Sequence, residues 1–262
     1  MRSPFRAIII TGASSGLGAA LAKAYAAPQT VLGLLGRDWQ RLADTARACE
    51  AQGAETRTAT IEVEDAAAMT SWLMEFDRAH PVDLLVANAG TSAGPEPESP
   101  SEGVETAARQ IRVNLIGTIN TVEPLLPALC ARRHGRVAII ASIAAFRGLP
   151  DSPGYCASKA GLRAYAEALR PRLARFGVGM TIVCPGFFDS PMTNRFDGPT
   201  PFVISAETAA RVVKRGLDRG RRRVAFPWPL VFGLKFCDVA PAFIGDAILR
   251  HYRFHIRPGW SE

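Results

Sequence analysis

Residues 7–18 constrain this chain more than any other stretch. Ala7-Ile8-Ile9-Ile10 is a short apolar run, the pattern of a strand buried on both faces. It passes through Thr11 into Gly12-Ala13-Ser14-Ser15-Gly16-Leu17-Gly18 and then into the helical pattern of Ala19 to Ala26. Strand, glycine-rich turn and helix in that order are the setting of a dinucleotide site. Gly12 allows the tight turn. Gly16 lets the backbone approach a pyrophosphate at the helix N-terminus, where unpaired N–H groups and the helix dipole favour an anion. Gly18 permits close helix–strand packing. The spacing is Gly-x-x-x-Gly-x-Gly, and the plain alternative is a glycine-rich loop that binds nothing.

The rest of the chain alternates in the same way. Strands are expected near residues 6–11, 30–35, 55–61, 82–87, 136–142 and 178–184, with helices between them. That alternation predicts an α/β fold, a Rossmann-like doubly wound parallel sheet with helices on both faces, in a single domain over 1–262. The helix near 105–133 carries Pro124 and Pro127 and is expected to kink there. The helix from about 154 to 176 is expected to bend or loosen near Pro171. Residues 92–100 read as an exposed loop.

Tyr155 and Lys159 stand four residues apart, on one face of that later helix, and Ser142 precedes Tyr155 by thirteen. An ammonium beside a phenol favours the phenolate, lowering the tyrosine pKa toward working pH and making a general acid/base. Ser142 follows the apolar run Val137 to Ala141, so its hydroxyl is expected at a strand's carboxyl end. In isolation, a helical tyrosine packed on a lysine stem explains the pair equally well.

Together these motifs resemble the short-chain dehydrogenase/reductase family over nearly the whole chain. Asn88-Ala89-Gly90 after an apolar strand, and Pro185-Gly186 after another, match the family's turns. Asn114, Ser142, Tyr155 and Lys159 match its catalytic positions in order and spacing. The resemblance implies an NAD(P)-dependent oxidoreductase interconverting an alcohol and a carbonyl. Tyr155 is then the acid/base, and Lys159 lowers its pKa and contacts the nicotinamide ribose. Ser142 bonds the reacting oxygen, and Asn114 holds a water linking Lys159 to solvent. The cofactor residues implied are Gly12, Ser14, Ser15, Gly16, Leu17, Gly18, Arg37, Glu62, Val63, Asn88, Ala89, Gly90, Tyr155, Lys159, Pro185, Gly186 and Ser190. Glu62-Val63 stands where relatives usually carry Asp-Val, and Ser190 replaces a threonine. Two other readings are a dinucleotide-binding regulatory or scaffold protein and a nucleotide-sugar epimerase or dehydratase. The first should lose part of the catalytic set; the second usually spaces its glycines differently.

Cofactor choice is read at the end of the second strand, where an acid binds a ribose hydroxyl and an arginine can hold a 2′-phosphate. Gly36 occupies the acid's usual place and Arg37 follows, which favours NADP over NAD. Ser15 in place of a basic residue, and Asp38 as a ribose partner, argue the other way.

Composition adds limits. Nearly half of the 262 residues are apolar, ample for one core. The five cysteines and four histidines show no metal spacing, so no metal site is expected and the thiols read as reduced in a cytoplasmic protein. The net charge is +7, much of it from Lys214, Arg215 and the run Arg219 to Arg223. No motif for reading nucleic acid accompanies that patch. Residues 187–262 are expected to form a variable substrate-side lobe and tail, with Phe146, Leu149, Phe187, Phe188, Met192, Phe196 and Phe202 suggesting an apolar small-molecule substrate. In 228–249 the prolines and glycines deny a transmembrane span and a continuous amphipathic helix. A second subunit of a homodimer or homotetramer, or a fold-back over the substrate site, is the expected cover for this apolar tail. A membrane surface is the less favoured one.

Overall fold

Strand β1 (Ala7–Thr11) runs through the glycine turn into helix α1 (Gly16–Tyr25), and β2 (Val31–Gly36), α2 (Trp39–Glu50), β3 (Glu55–Thr60), α3 (Ala66–Ala79) and β4 (Leu84–Ala87) follow. Next come α4 (Val104–Ile111), a π-helical turn at Arg112–Ile116, α5 (Gly117–Val122), a 3-10 turn at Glu123–Leu125 and α6 (Leu126–Arg132). The second half holds β5 (Arg136–Ile140), α7 (Pro153–Ala174), β6 (Gly179–Pro185), β7 (Phe196–Asp197), α8 (Ala206–Asp218), β8 (Arg223–Phe226), α9 (Trp228–Val239), α10 (Ala242–Leu249) and β9 (His255–Ile256). This computed structural model describes residues 3–95, 99–250 and 255–256; His251 lies outside them.

Seven strands form one parallel sheet in the order β3-β2-β1-β4-β5-β6-β8. The chain winds outward from β1 in one direction and from β4 in the other. The carboxyl ends of β1 and β4 therefore flank the topological switch point, where ligands bind in such sheets. Alternate strand residues feed two cores. Ile9, Leu85, Val137 and Ile139 pack on one face with Leu73 and Leu162, while Ile8, Ile10, Leu84 and Val86 pack on the other with Leu21 and Val213. Burial on both faces is why these strands are continuous apolar runs. Strand β3, on the sheet edge, is largely exposed and correspondingly polar.

Several expectations need correction or refinement. The break in the helix near 105–133 begins at Arg112, where the π turn widens the backbone around Asn114, before either proline is reached. The helix is also interrupted at the prolines, as expected: Pro124 lies in the 3-10 turn that separates α5 from α6, and Pro127 lies in the first turn of α6. The loop after β4 is not exposed at its start. Thr91, Ser92 and Ala93 are buried, with Ala93 N donating to Gln110 Oε1 (3.0 Å) and Arg195 Nη1 donating to the Ser92 carbonyl (3.2 Å). The tail does form a continuous helix, α9, although it is apolar on both sides rather than amphipathic. Pro229 lies in its first turn, and Gly233 lowers helix propensity by about 1 kcal/mol without breaking it. Helix α7 likewise continues past Pro171, three residues before its end. Among the described residues no helix is long and apolar enough to cross a membrane.

Candidate active site

A cleft of about 410 Å³ opens along the carboxyl ends of β1, β2, β4, β5 and β6. Gly12, Ser14, Ser15, Gly16 and Leu17 form one wall. Gly12 and Gly16 have φ of +65° and +51°, a left-handed backbone that favours glycine. A Cβ on Gly12 would stand 2.9 Å from Ala89 Cα, and one on Gly16 would stand 3.2 Å from Ser190 Cβ. Ser15 makes no side-chain cap to α1, and the helix has no acid in its first turn. The resulting cradle of bare backbone at a helix N-terminus fits an anionic pyrophosphate. Gly18 lies behind the cleft, packed against the Gly12 carbonyl. Asn88 serves as a clamp for the turn. Its Nδ2 donates to the carbonyls of Thr11 (2.9 Å) and Gly12 (3.2 Å), while its backbone N–H donates to Thr11 Oγ1 (3.0 Å). Ala89 and Gly90 continue this wall.

Farther along β2, Arg37 is exposed on the cleft rim. Asp38 also lines the cleft, but its carboxylate caps α2, accepting from Arg41 N (3.0 Å) and pairing with Arg41 Nε (3.1 Å). Glu62 and Val63 line the same end, and the Val63 carbonyl is held by Asn120 Nδ2 (3.0 Å). At the other end, the Gly186 N–H donates to the Phe226 carbonyl (2.7 Å), and Ser190 Oγ caps the turn at Thr193 (3.1 Å). Pro185, Gly186 and Ser190 all border the cleft.

Ser142, Tyr155 and Lys159 meet at its floor. Ser142 lies two residues beyond β5, with its Oγ accepting from Ala144 N (3.1 Å), and it borders the cleft together with Tyr155. Tyr155 and Lys159 occupy successive turns at the start of α7. The Lys159 Nζ is buried, 5.5 Å from the Tyr155 ring centroid, and donates to the Ile140 carbonyl (3.1 Å). Burial pushes the Tyr155 phenol up to about 12, with the nearby Ser142 hydroxyl opposing the shift. Burial also brings Lys159 down to about 8. Desolvation therefore sets the direction of the Tyr155 shift, opposite to the lowering expected from a neighbouring ammonium.

Asn114, in the π turn, is fully buried behind Lys159. Its Nδ2 donates to the Thr91 carbonyl and Ser158 Oγ (both 2.9 Å), and its Oδ1 accepts from Thr91 N (2.7 Å). A Cβ on Gly90 would stand 3.1 Å from Asn114 Oδ1 and 3.3 Å from Lys159 Nζ, so the absence of a side chain there lets the two groups approach. Neither Thr91 nor Ser158 carried a sequence signal.

Beyond Tyr155 the cleft is walled by Leu149, Phe187, Phe188, Met192 and Phe196, together with Leu230, Leu234, Phe236, Cys237, Ile248 and Leu249 from α9 and α10. The tail folds back over this side. Phe146 is buried in the core instead, and Phe202 is exposed away from the wall. A two-residue clasp, β7 with β9, ties Phe196 to Ile256. Helices α9 and α10 escaped prediction because their inner residues are ordinary aliphatic groups with no motif.

Residues 6–199 match the family model for short chain dehydrogenase. An uncharacterized oxidoreductase of Myxococcus xanthus is 33% identical over 254 residues, 95% of this chain and 98% of that protein. A short chain dehydrogenase/reductase of Burkholderia phymatum, solved with NAD, superposes with a TM-score of 0.79 over 90% of this chain and 94% of that one, at 22% identity. An alcohol dehydrogenase of Thermococcus sibiricus, solved with 5-hydroxy-NADP, gives 0.74 over 84% and 95%, at 25% identity. With the glycine cradle at the switch point and a family match spanning most of the sheet, this chain belongs to the short-chain dehydrogenase/reductase family of oxidoreductases.

Proposed function

We propose that the protein interconverts an apolar alcohol and its carbonyl compound by hydride transfer, with NADP as the preferred dinucleotide. One observation carries the reading: Ser142 and Tyr155 border the cleft together, with the buried Lys159 Nζ 5.5 Å from the Tyr155 ring centroid. The bound nicotinamide supplies or accepts the hydride. During reduction, negative charge develops on the substrate oxygen. Tyr155 gives that oxygen its phenolic proton, and Ser142 remains a donor to it throughout. Oxidation runs the same transfer backwards, with Tyr155 accepting the alcohol proton. Lys159, when protonated, stabilises the phenolate left on Tyr155. Asn114 braces the loop and helix around it, and its proposed water would carry protons to Lys159 from solvent.

Support for NADP comes from Arg37 on the rim and from Asp38, whose carboxylate is committed to capping α2. Charge-assisted pairing of Arg37 with a 2′-phosphate would supply the discrimination. Support for an apolar substrate comes from the walls beyond Tyr155, which present aromatic, aliphatic and sulfur-bearing side chains. The test is oxidation of NADPH or NADH by the full chain against a panel of apolar ketones, followed by ultraviolet absorbance, with the matching alcohols run in reverse. Turnover that is faster with NADPH is expected. Tight cofactor binding without turnover on any member of the panel would point to the non-catalytic reading.

A further inference from the structure

Helix α9 has two apolar sides. Its inner side, with Leu230, Val231 and Leu234, packs on the core, and Cys237 is buried. Its outer side carries Trp228, Phe232, Phe236 and Val239, spaced four, four and three residues apart and hence in one row. These four are 77%, 69%, 49% and 80% exposed, and Phe243 on α10 extends the group at 75%. A row of large exposed apolar groups marks an interaction surface.

The surroundings of the row indicate the partner. Lys235 is exposed on the same arc of the helix as Trp228 and Val239. Its Nζ lies 5.2 Å from the Phe146 ring centroid, and the guanidinium carbons of Arg163 and Arg223 lie 5.7 and 5.8 Å from the same centroid. Arg223 is paired with Glu167, and Arg147 with Asp246. Arg147, Arg163 and Arg250 border one hollow with Asp238 and Asp246, so cations outnumber acids there. Exposed aromatic and aliphatic groups beside cations suit an anionic bilayer surface, where the apolar groups can enter the interface and the cations meet the headgroups. Phe236 and Ile248 belong both to the exposed surface and to the cleft wall. A rigid protein cover on the row would close that side of the cleft, whereas a bilayer interior is itself a solvent for apolar molecules.

We propose that the outer face of α9, with Phe243, docks on anionic lipid surfaces. The link to an apolar substrate rests on the proposed function. The docking itself does not, because its test reads binding rather than turnover.

The experiment is co-sedimentation of the full chain with vesicles of phosphatidylcholine containing one fifth phosphatidylglycerol, and with phosphatidylcholine alone, at low and high salt. Trp228→Ser/Phe232→Ser and Lys235→Glu serve as variants; none of the three residues lines the cleft. Thermal melting checks that each variant folds, and sedimentation velocity reports its oligomeric state. Expected are binding to the anionic vesicles that weakens at high salt, a loss of at least tenfold in the double variant, and a smaller loss in Lys235→Glu. Absence of binding at low salt would overturn the proposal, as would binding that a folded double variant retains. Dissociation of an oligomer by the double variant, without vesicle binding by the parent chain, would make the row a subunit interface and overturn it as well.

Discussion

The carboxylate of Glu102 accepts the backbone N–H of Gly154, the residue immediately before Tyr155. Its other oxygen takes Gln110 Nε2 (2.9 Å), and Gln110 Oε1 in turn takes Ala93 N (3.0 Å). Ser152, at the N-cap of α7, makes no side-chain cap of its own. A carboxylate from a distant loop therefore does the capping, at the end of the helix where the dipole favours an anion. Glu102→Ala should cost about 1–2 kcal/mol of stability, as other lost caps do. It should lower kcat more than it changes cofactor affinity, because the helix turn that aims Tyr155 loosens while the glycine cradle is untouched. Glu102→Gln, which keeps an acceptor oxygen, should recover part of kcat. Chemical denaturation and steady-state kinetics check both variants, and an unchanged kcat in Glu102→Ala would remove the positioning role.

Tyr155→Phe keeps the ring and deletes the proton. Turnover should fall by at least a hundredfold, the lower range for a lost general acid/base, roughly 2.7 kcal/mol in barrier. Cofactor affinity, measured by nicotinamide fluorescence, should stay near that of the parent chain. A loss within about tenfold, roughly 1.4 kcal/mol, would sink the assignment.

Arg37→Ala tests the cofactor. If Arg37 pairs with the 2′-phosphate, the variant should bind NADP at least tenfold more weakly, the scale of a lost charge-assisted hydrogen bond of about 1.5–3 kcal/mol. NAD affinity should change little. Equal losses for both dinucleotides, or a parent chain that prefers NAD, would overturn the reading, and titration calorimetry distinguishes these cases.

The legible parts of this protein were those written into regular elements. Strands such as Ile8–Ile10 and Leu84–Val86 are buried on both faces, and sequence shows that burial directly as unbroken apolar runs. Tyr155 and Lys159 share a helix at a fixed spacing, so one pattern located both. What stayed hidden depends on contacts between distant segments. The Glu102–Gly154 bond spans 52 residues, and no local rule selects one glutamate in a polar loop for it. Asn114 was found as a residue, but the π turn that sets its carboxamide between Thr91 and Ser158 has no propensity signal. The helix rules also misjudged α9. Pro229 looks like a breaker until its place in the first turn is known.

Lys159 gives the protein a pH signature that does not require catalysis. Its ammonium is buried and titrates near 8 in the folded chain, whereas an exposed lysine titrates near its ordinary 10.5. Above pH 8 the native state sheds this proton while the unfolded chain still holds it. The unfolded state then binds more protons, so this group's contribution to stability rises with pH until about 10.5. Tyr155, raised to about 12, acts in the opposite direction only above its ordinary value of 10. The informative window is therefore pH 8 to 10. In Lys159→Met the titrating group is gone and the stem's packing is largely kept. The difference in melting temperature, parent minus variant, should grow by a few degrees across that window in cofactor-free protein. Parallel melting curves for the two proteins from pH 8 to 10 would show that Lys159 keeps an ordinary pKa in the fold.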